Sequence, residues 1–185
     1  MLVVVGHGPS ILGRKLGSWI DTQTVVRLKH AERPTTEDWG TRTDYVCASS
    51  PSFWTDKRHP DFPDAECWVL TDKRRPDFPE CEKWVLSDKK IPKGNWRQAD
   101  VEWLRYFKRF EPSFRKPSTG LKAVFCAMEF LWPDEIGLIG FDRLLRPDVA
   151  TSKWFHEQGK YLYGHDANAE HRCLMSLPVK VVDLG

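Results

Sequence analysis

The residues best suited to chemistry in this chain lie in the stretch Lys116-Pro117-Ser118-Thr119-Gly120-Leu121-Lys122-Ala123-Val124-Phe125. Pro117 presets the backbone for a first helical turn, and Ser118 or Thr119 can cap the N–H groups that open there. Gly120 has no side chain, so another group can come close to its backbone. Leu121, Val124, Phe125, Met128 and Leu131 recur at helical spacing and form a face to be buried. After Pro133, the run Glu135-Ile136-Gly137-Leu138-Ile139-Gly140-Phe141 reads as a strand, with Asp142 following. A hydroxyl-rich helix start beside a buried strand suits a phosphate, because open N–H groups and the helix dipole both favour an anion. An ordinary capped helix satisfies the same pattern, and both readings stay open on these residues alone.

The elements that would position such a site read as an α/β layer. Residues 2–6 form an apolar run that ends in the turn Gly6-His7-Gly8-Pro9-Ser10. A helical pattern follows through Ile11, Leu12, Leu16, Trp19 and Ile20. Strand, glycine turn and helix in succession open a nucleotide-binding α/β fold. The glycines do not fit the G-x-G-x-x-G spacing, which argues against a dinucleotide cofactor such as NAD. Thr24–Leu28 and Thr43–Ala48 read as further strands, and Val179–Leu184 as the last one. The 185 residues are long enough to bury a sizeable core and are expected to form one domain, 1–185. The fold class expected is α/β, a Rossmann-like sheet flanked by helices.

Three segments, in order, resemble the sialyl motifs of the sialyltransferases, glycosyltransferase family 29. Val3-Val4-Val5-Gly6-His7-Gly8-Pro9-Ser10 through Leu28, then Asp38-Trp39-Gly40-Thr41-Arg42-Thr43, resembles the large motif. Pro117-Ser118-Thr119-Gly120 through Gly140-Phe141-Asp142 resembles the small motif. Gly164-His165-Asp166-Ala167-Asn168-Ala169-Glu170 resembles the very small motif, a His and a Glu five positions apart. The resemblance implies a variant nucleotide-sugar glycosyltransferase fold and an inverting, metal-independent transfer of a sugar from a CMP-sugar donor to an acceptor hydroxyl. The nucleotide sugar is then a substrate, and no cofactor is implied. The absence of any Asp-x-Asp in the sequence agrees with metal-independent transfer.

Such a transfer needs a base for the acceptor hydroxyl, groups that stabilise the departing phosphate, and exclusion of water. By its place in the very small motif, His165 is the expected base; a histidine ordinarily titrates near pH 6.5, which suits a base at neutral pH. Glu170 is expected to cap the following helix or orient its neighbours. His156, in Trp154-Phe155-His156-Glu157, is placed like the family's phosphate-contacting histidine, with Tyr161 or Tyr163 as an alternative. Gly6, His7, Gly8, Ser10, Arg27, Lys29, Ser118, Thr119 and Gly120 are the expected donor-binding residues. His7 stands where the family has a donor-contacting Asn, and Lys29 or His30 near a second. These departures leave the donor sugar open.

The middle of the chain, residues 52–115, carries no family resemblance. Thr55-Asp56-Lys57-Arg58-His59-Pro60-Asp61-Phe62-Pro63 to Trp68-Val69-Leu70 recurs as Thr71-Asp72-Lys73-Arg74-Arg75-Pro76-Asp77-Phe78-Pro79 to Trp84-Val85-Leu86, a tandem duplication over 55–86. Too few copies are present for a solenoid, so each reads as a short strand leaving into a basic, proline-stiffened loop. Residues 96–115 read as an amphipathic helix, and Arg97, Arg105, Lys108, Arg109, Arg115 and the adjoining Lys116 interleave with Trp96, Trp103 and Tyr106. Basic and aromatic residues together can grip a phosphate backbone and stack bases. That pattern keeps a phage-type enzyme glycosylating hydroxymethylated DNA as an alternative, beside a glycan acceptor. An inactive nucleotide- or nucleic-acid-binding protein is a third reading.

A formal net charge of +2 implies neither a nucleic-acid nor a membrane partner by itself. No apolar run approaches the roughly 20 residues needed to span a bilayer. The five cysteines have no metal-type spacing, and the first residues read as a strand rather than a leader. A cytoplasmic protein of bacterial or phage type is therefore expected.

Overall fold

Leu2–Val5 (β1) is a continuous apolar run, and all four residues are buried, as expected for a strand covered on both faces. It is an inner strand of the sheet. In the computed structural model, which describes residues 1–28, 35–48, 66–69, 96–98, 102–113, 117–147 and 165–185, β1 is flanked by Thr24–Leu28 (β2) and Glu135–Ile139 (β6), both parallel to it. Outward from β2 lie Tyr45–Ala48 (β3), Glu66–Val69 (β4) and Trp96–Gln98 (β5); outward from β6 lies Lys180–Asp183 (β7). The order is β5-β4-β3-β2-β1-β6-β7, with every pairing parallel.

Alternation along the strands divides the core into two layers. Val4, Val26, Leu138 and Cys47 face the long helix Thr119–Leu131 (α4) and Ala167–Met175 (α6), between which the chain forms the four-residue Asp142–Leu145 (α5). Val3, Val5, Val25 and Ile139 face the other way, against Ile11, Ile20 and Trp39. Those three belong to a 3-10 turn at Pro9–Ile11 and the short helices Gly17–Ile20 (α1) and Thr36–Trp39 (α2). The helical face read from the sequence is the buried face of α4, with Leu121, Val124, Phe125 and Met128 inside. Trp132 ends α4 in a left-handed conformation, and Pro133 prevents its continuation. The thiols of Cys47, Cys126 and Cys173 are free and buried; burial pushes Cys173 up to about 12, with the nearby Glu170 charge adding to the effect.

Two expectations are corrected. The helical pattern of residues 11–20 is not one helix: Gly13 and Lys15 take positive φ angles of 74° and 53°, which break it into the 3-10 turn and a four-residue α1. The helix expected over 96–115 begins only at Glu102 (Glu102–Lys108, α3), because Trp96–Gln98 pairs with β4 instead. In α3, Trp103 stacks on Phe125 with ring centroids 5.2 Å apart, and the Tyr106 hydroxyl bonds the Ser176 carbonyl at 3.1 Å. Both rings are half-buried and pack against the α4 core, so they cover that core rather than stand free as a stacking surface. The first copy of the duplication supplies β4; its second strand, Trp84–Leu86, lies outside the described residues. No described helix is long and apolar enough to cross a membrane.

Carboxylates fasten the α1–α2 side. Asp21 accepts the N–H groups of Thr41 and Arg42, each at 2.7 Å, and Asp38 accepts those of Gly13 at 2.9 Å and Lys15 at 2.8 Å. Burial pushes the Asp21 carboxyl up, but the Arg42 and Thr41 donors outweigh it and hold it below its ordinary value. Asp38 is held down chiefly by the Gly13 and Lys15 N–H groups. A depressed folded-state pKa contributes stability that is present above the unfolded value, near 3.9, and lost as pH falls through the folded one. The melting temperature is therefore expected to hold from pH 7 to about 5 and to fall below about pH 4. An Asp38→Asn variant should start lower and lose less over that range. An equal acid loss in wild type and variant would show that Asp38 contributes nothing to it.

Candidate functional site

The strand order reverses at β1: β2 to β5 lie on one side of it, β6 and β7 on the other. In parallel sheets the crevice outside the carboxyl ends of the strands at such a switch point is where ligands bind. Here it lies between Gly6-His7-Gly8, leaving β1, and Gly140-Phe141-Asp142, leaving β6. The two turns are stitched together by Gly6 N–H to the Ile139 carbonyl at 2.8 Å and Gly8 N–H to the Gly140 carbonyl at 2.7 Å.

Phe141 brings the start of α4 to the same place. A Cβ on Gly6 would lie 2.9 Å from its ring, and a Cβ on Gly120 would lie 2.6 Å from it. The buried ring thus fits between two backbones that only glycine leaves clear. The close approach expected at Gly120 is made by Phe141.

Ser118 is the N-cap of α4, its Oγ accepting the Leu121 N–H at 3.3 Å. Its own N–H and hydroxyl both donate to the buried Glu170 carboxylate, at 2.5 Å to Oε1 and 2.7 Å to Oε2. The Ser118 hydroxyl therefore builds the cap. Among the described residues, the N–H groups of Thr119 and Gly120 have no protein acceptor, leaving the first turn of a 13-residue helix open to an anion.

Glu170 sits in the first turn of α6, whose N-cap Asp166 accepts the Ala169 N–H at 2.9 Å. That bond, stronger in effect than burial, holds the Asp166 carboxyl below its ordinary value. The cap places His165 just ahead of the helix, with Nδ1 3.9 Å from Glu170 Oε1 and the side chain 30% exposed. This contact is too long for a hydrogen bond, but it is an ion pair whenever the imidazole is protonated. Glu170 thus links the partly exposed imidazole to the cap of α4. Periodicity could not show this, because Ser118 and Glu170 are 52 residues apart.

Arg27 and His7 lie away from open solvent. The Arg27 guanidinium is fully buried and donates to the carbonyls of Trp39 at 2.7 Å and Arg42 at 3.0 Å and to Thr43 Oγ1 at 2.8 Å. It also lies 5.7 Å from the Trp39 ring. Expected to bind the donor, Arg27 is placed as a brace for the loop after α2. The His7 ring is buried 5.7 Å from that same Trp39 ring, at the end of β1. Ser10 is half-buried, and its N–H donates to Asp142 Oδ2 at 3.3 Å. Lys29, His156, Tyr161 and Tyr163 lie outside the described residues. Among the described residues, no group of three or more His, Cys, Asp or Glu side chains could hold a metal ion.

No protein-family model matches the chain, and no curated protein matches its sequence. Among solved structures it is similar to a mammalian sialyltransferase in complex with Gal-beta-1-3GalNAc-ortho-nitrophenol, with TM-score 0.61 and 20% identity over 98% of this chain and 68% of that one. It is also similar to the sialyltransferase CstII from Campylobacter jejuni in complex with a substrate analogue, cytidine-5'-monophosphate, with TM-score 0.54 and 15% identity over 99% of this chain and 79% of that one. At these identities the likeness is one of fold. The chain has the Rossmann-like α/β fold shared by these sialyltransferases, as the sequence led us to expect.

Proposed function

We propose that the protein is a nucleotide-sugar glycosyltransferase, with a CMP-sugar as donor and an acceptor hydroxyl on a glycan. One observation carries this reading. The three motif segments converge on one crevice, through Phe141 between Gly6 and Gly120 and through Glu170 on Ser118, in a fold similar to two sialyltransferases. The complex of one of them with cytidine-5'-monophosphate supports the choice of nucleotide.

In this reading the donor phosphate lies at the start of α4. The N–H groups of Thr119 and Gly120 and the helix dipole stabilise the charge that develops on it. His165 takes the proton of the acceptor hydroxyl. The acceptor oxygen bonds to the anomeric carbon as the bond from that carbon to the phosphate oxygen breaks, and CMP leaves with the electron pair. A single displacement of this kind inverts the anomeric carbon. The imidazolium so formed faces Glu170, an attraction of at most about 4 kcal/mol at an effective dielectric constant of about 20, less where solvent screens the imidazole. Transfer proceeds without a metal, and the protein works in the cytoplasm of a bacterium or of a phage-infected host. A thermal-shift series with CMP, UDP and GDP in EDTA tests the reading, with CMP expected to raise the melting temperature.

A further inference from the structure

The turn Gly6-His7-Gly8-Pro9-Ser10 leaves β1 where an α/β fold often holds a phosphate, but its main-chain donors are largely engaged. Gly6 N–H goes to the Ile139 carbonyl, Gly8 N–H to the Gly140 carbonyl and Ser10 N–H to Asp142 Oδ2, while Pro9 has none to give. The turn therefore offers a ligand a shaped surface rather than a nest of N–H groups. What sets that shape is Asp142. Its buried carboxylate lies so close under Gly8 that a Cβ there would meet Oδ2 at 1.8 Å and Cγ at 2.9 Å. The same Oδ2 accepts the Ser10 N–H, so one oxygen bonds the turn at Ser10 and bounds the space over Gly8.

We infer that Asp142 is a positioning residue for the donor: it acts through the Gly8–Ser10 turn, holding it against the carboxyl end of β6 so that the crevice has the width the nucleotide needs. The inference rests on the glycosyltransferase reading and extends it to a residue that touches neither the α4 cap nor His165 in the contacts described. Gly8 is then a glycine because Asp142 Oδ2 and the Gly140 carbonyl oxygen, which a Cβ would meet at 2.8 Å, occupy the space its side chain would take.

Two readouts test this, CMP affinity by calorimetric titration and melting temperature without ligand, on Asp142→Ala, Asp142→Asn, Gly8→Ala and the Gly8→Ala/Asp142→Ala double variant. Asp142→Ala is expected to weaken CMP binding roughly tenfold, the loss that one misplaced hydrogen bond produces. Asp142→Asn keeps an acceptor oxygen and should retain most of the affinity. Gly8→Ala should cost more in the wild-type background than in Asp142→Ala, where the 1.8 Å encounter is gone, so the two effects should not add. If wild type binds CMP and Asp142→Ala binds it equally well with a lowered melting temperature, Asp142 only stabilises the fold and the inference is overturned. If wild type binds no CMP, the functional reading fails and this role fails with it, even where the Gly8–Asp142 coupling in melting temperature persists.

Discussion

His165→Ala is expected to lower sugar transfer by two to four orders of magnitude, roughly 10²–10⁴, the usual share of a positioned general base. CMP affinity should stay within about twofold, because the proposed phosphate contacts belong to the start of α4. His165 precedes α6 and is partly exposed, so the melting temperature should change little. The measurement is CMP release from a CMP-sugar in the presence of acceptor, followed in wild type and variant at equal protein concentration. An alanine variant that turns over as fast as wild type would remove His165 from the chemistry. If CMP bound to a wild type that released none, the inactive nucleotide-binding reading would take its place.

Glu170→Ala has the second large effect, and it falls on stability and activity together. Removing the carboxylate leaves the Ser118 N–H and hydroxyl without the acceptor they share. Each bond to a charged group is worth about 1.5–3 kcal/mol, so a loss of about 3 kcal/mol or more is expected. For a domain of this size that lowers the melting temperature by roughly 6–12 °C. Glu170→Gln keeps one acceptor oxygen and should lose less stability. It still removes the charge facing His165, and transfer should fall at least about tenfold if the imidazolium depends on that charge. A glutamine variant with full activity would leave Glu170 a purely structural cap.

These two residues show where sequence reading reached and where it stopped. The cap at Ser118 and the buried face of α4 were legible because both are local: a hydroxyl before an apolar run, and apolar residues at helical spacing. The strands β1 and β6 were legible as apolar runs bounded by glycine. The pairing of Ser118 with Glu170 was not, since no local pattern encodes which helix start meets which. Arg27 was expected among the donor contacts from its place in the segment resembling the large motif; its burial follows from Trp39 and the carbonyls around it, which only the fold brings together. Trp96–Gln98 was read as helix because its neighbours carry helical spacing, and pairing with β4 overrode that local preference. Phe141 and Asp142 stood inside the segment that resembles the small motif, yet their places depend on the glycines opposite them.

The most direct test of a nucleotide site at the switch point is the melting temperature of the purified protein with CMP, UDP and GDP, each with and without EDTA. A ligand bound only by the folded state stabilises it by about 2.7 kcal/mol at about 100 times its Kd. The expected result is a rise of roughly 5–10 °C with CMP, unchanged by EDTA and much smaller with UDP and GDP. No rise with any nucleotide, at concentrations up to several millimolar, would contradict a donor site between β1, β6 and the start of α4.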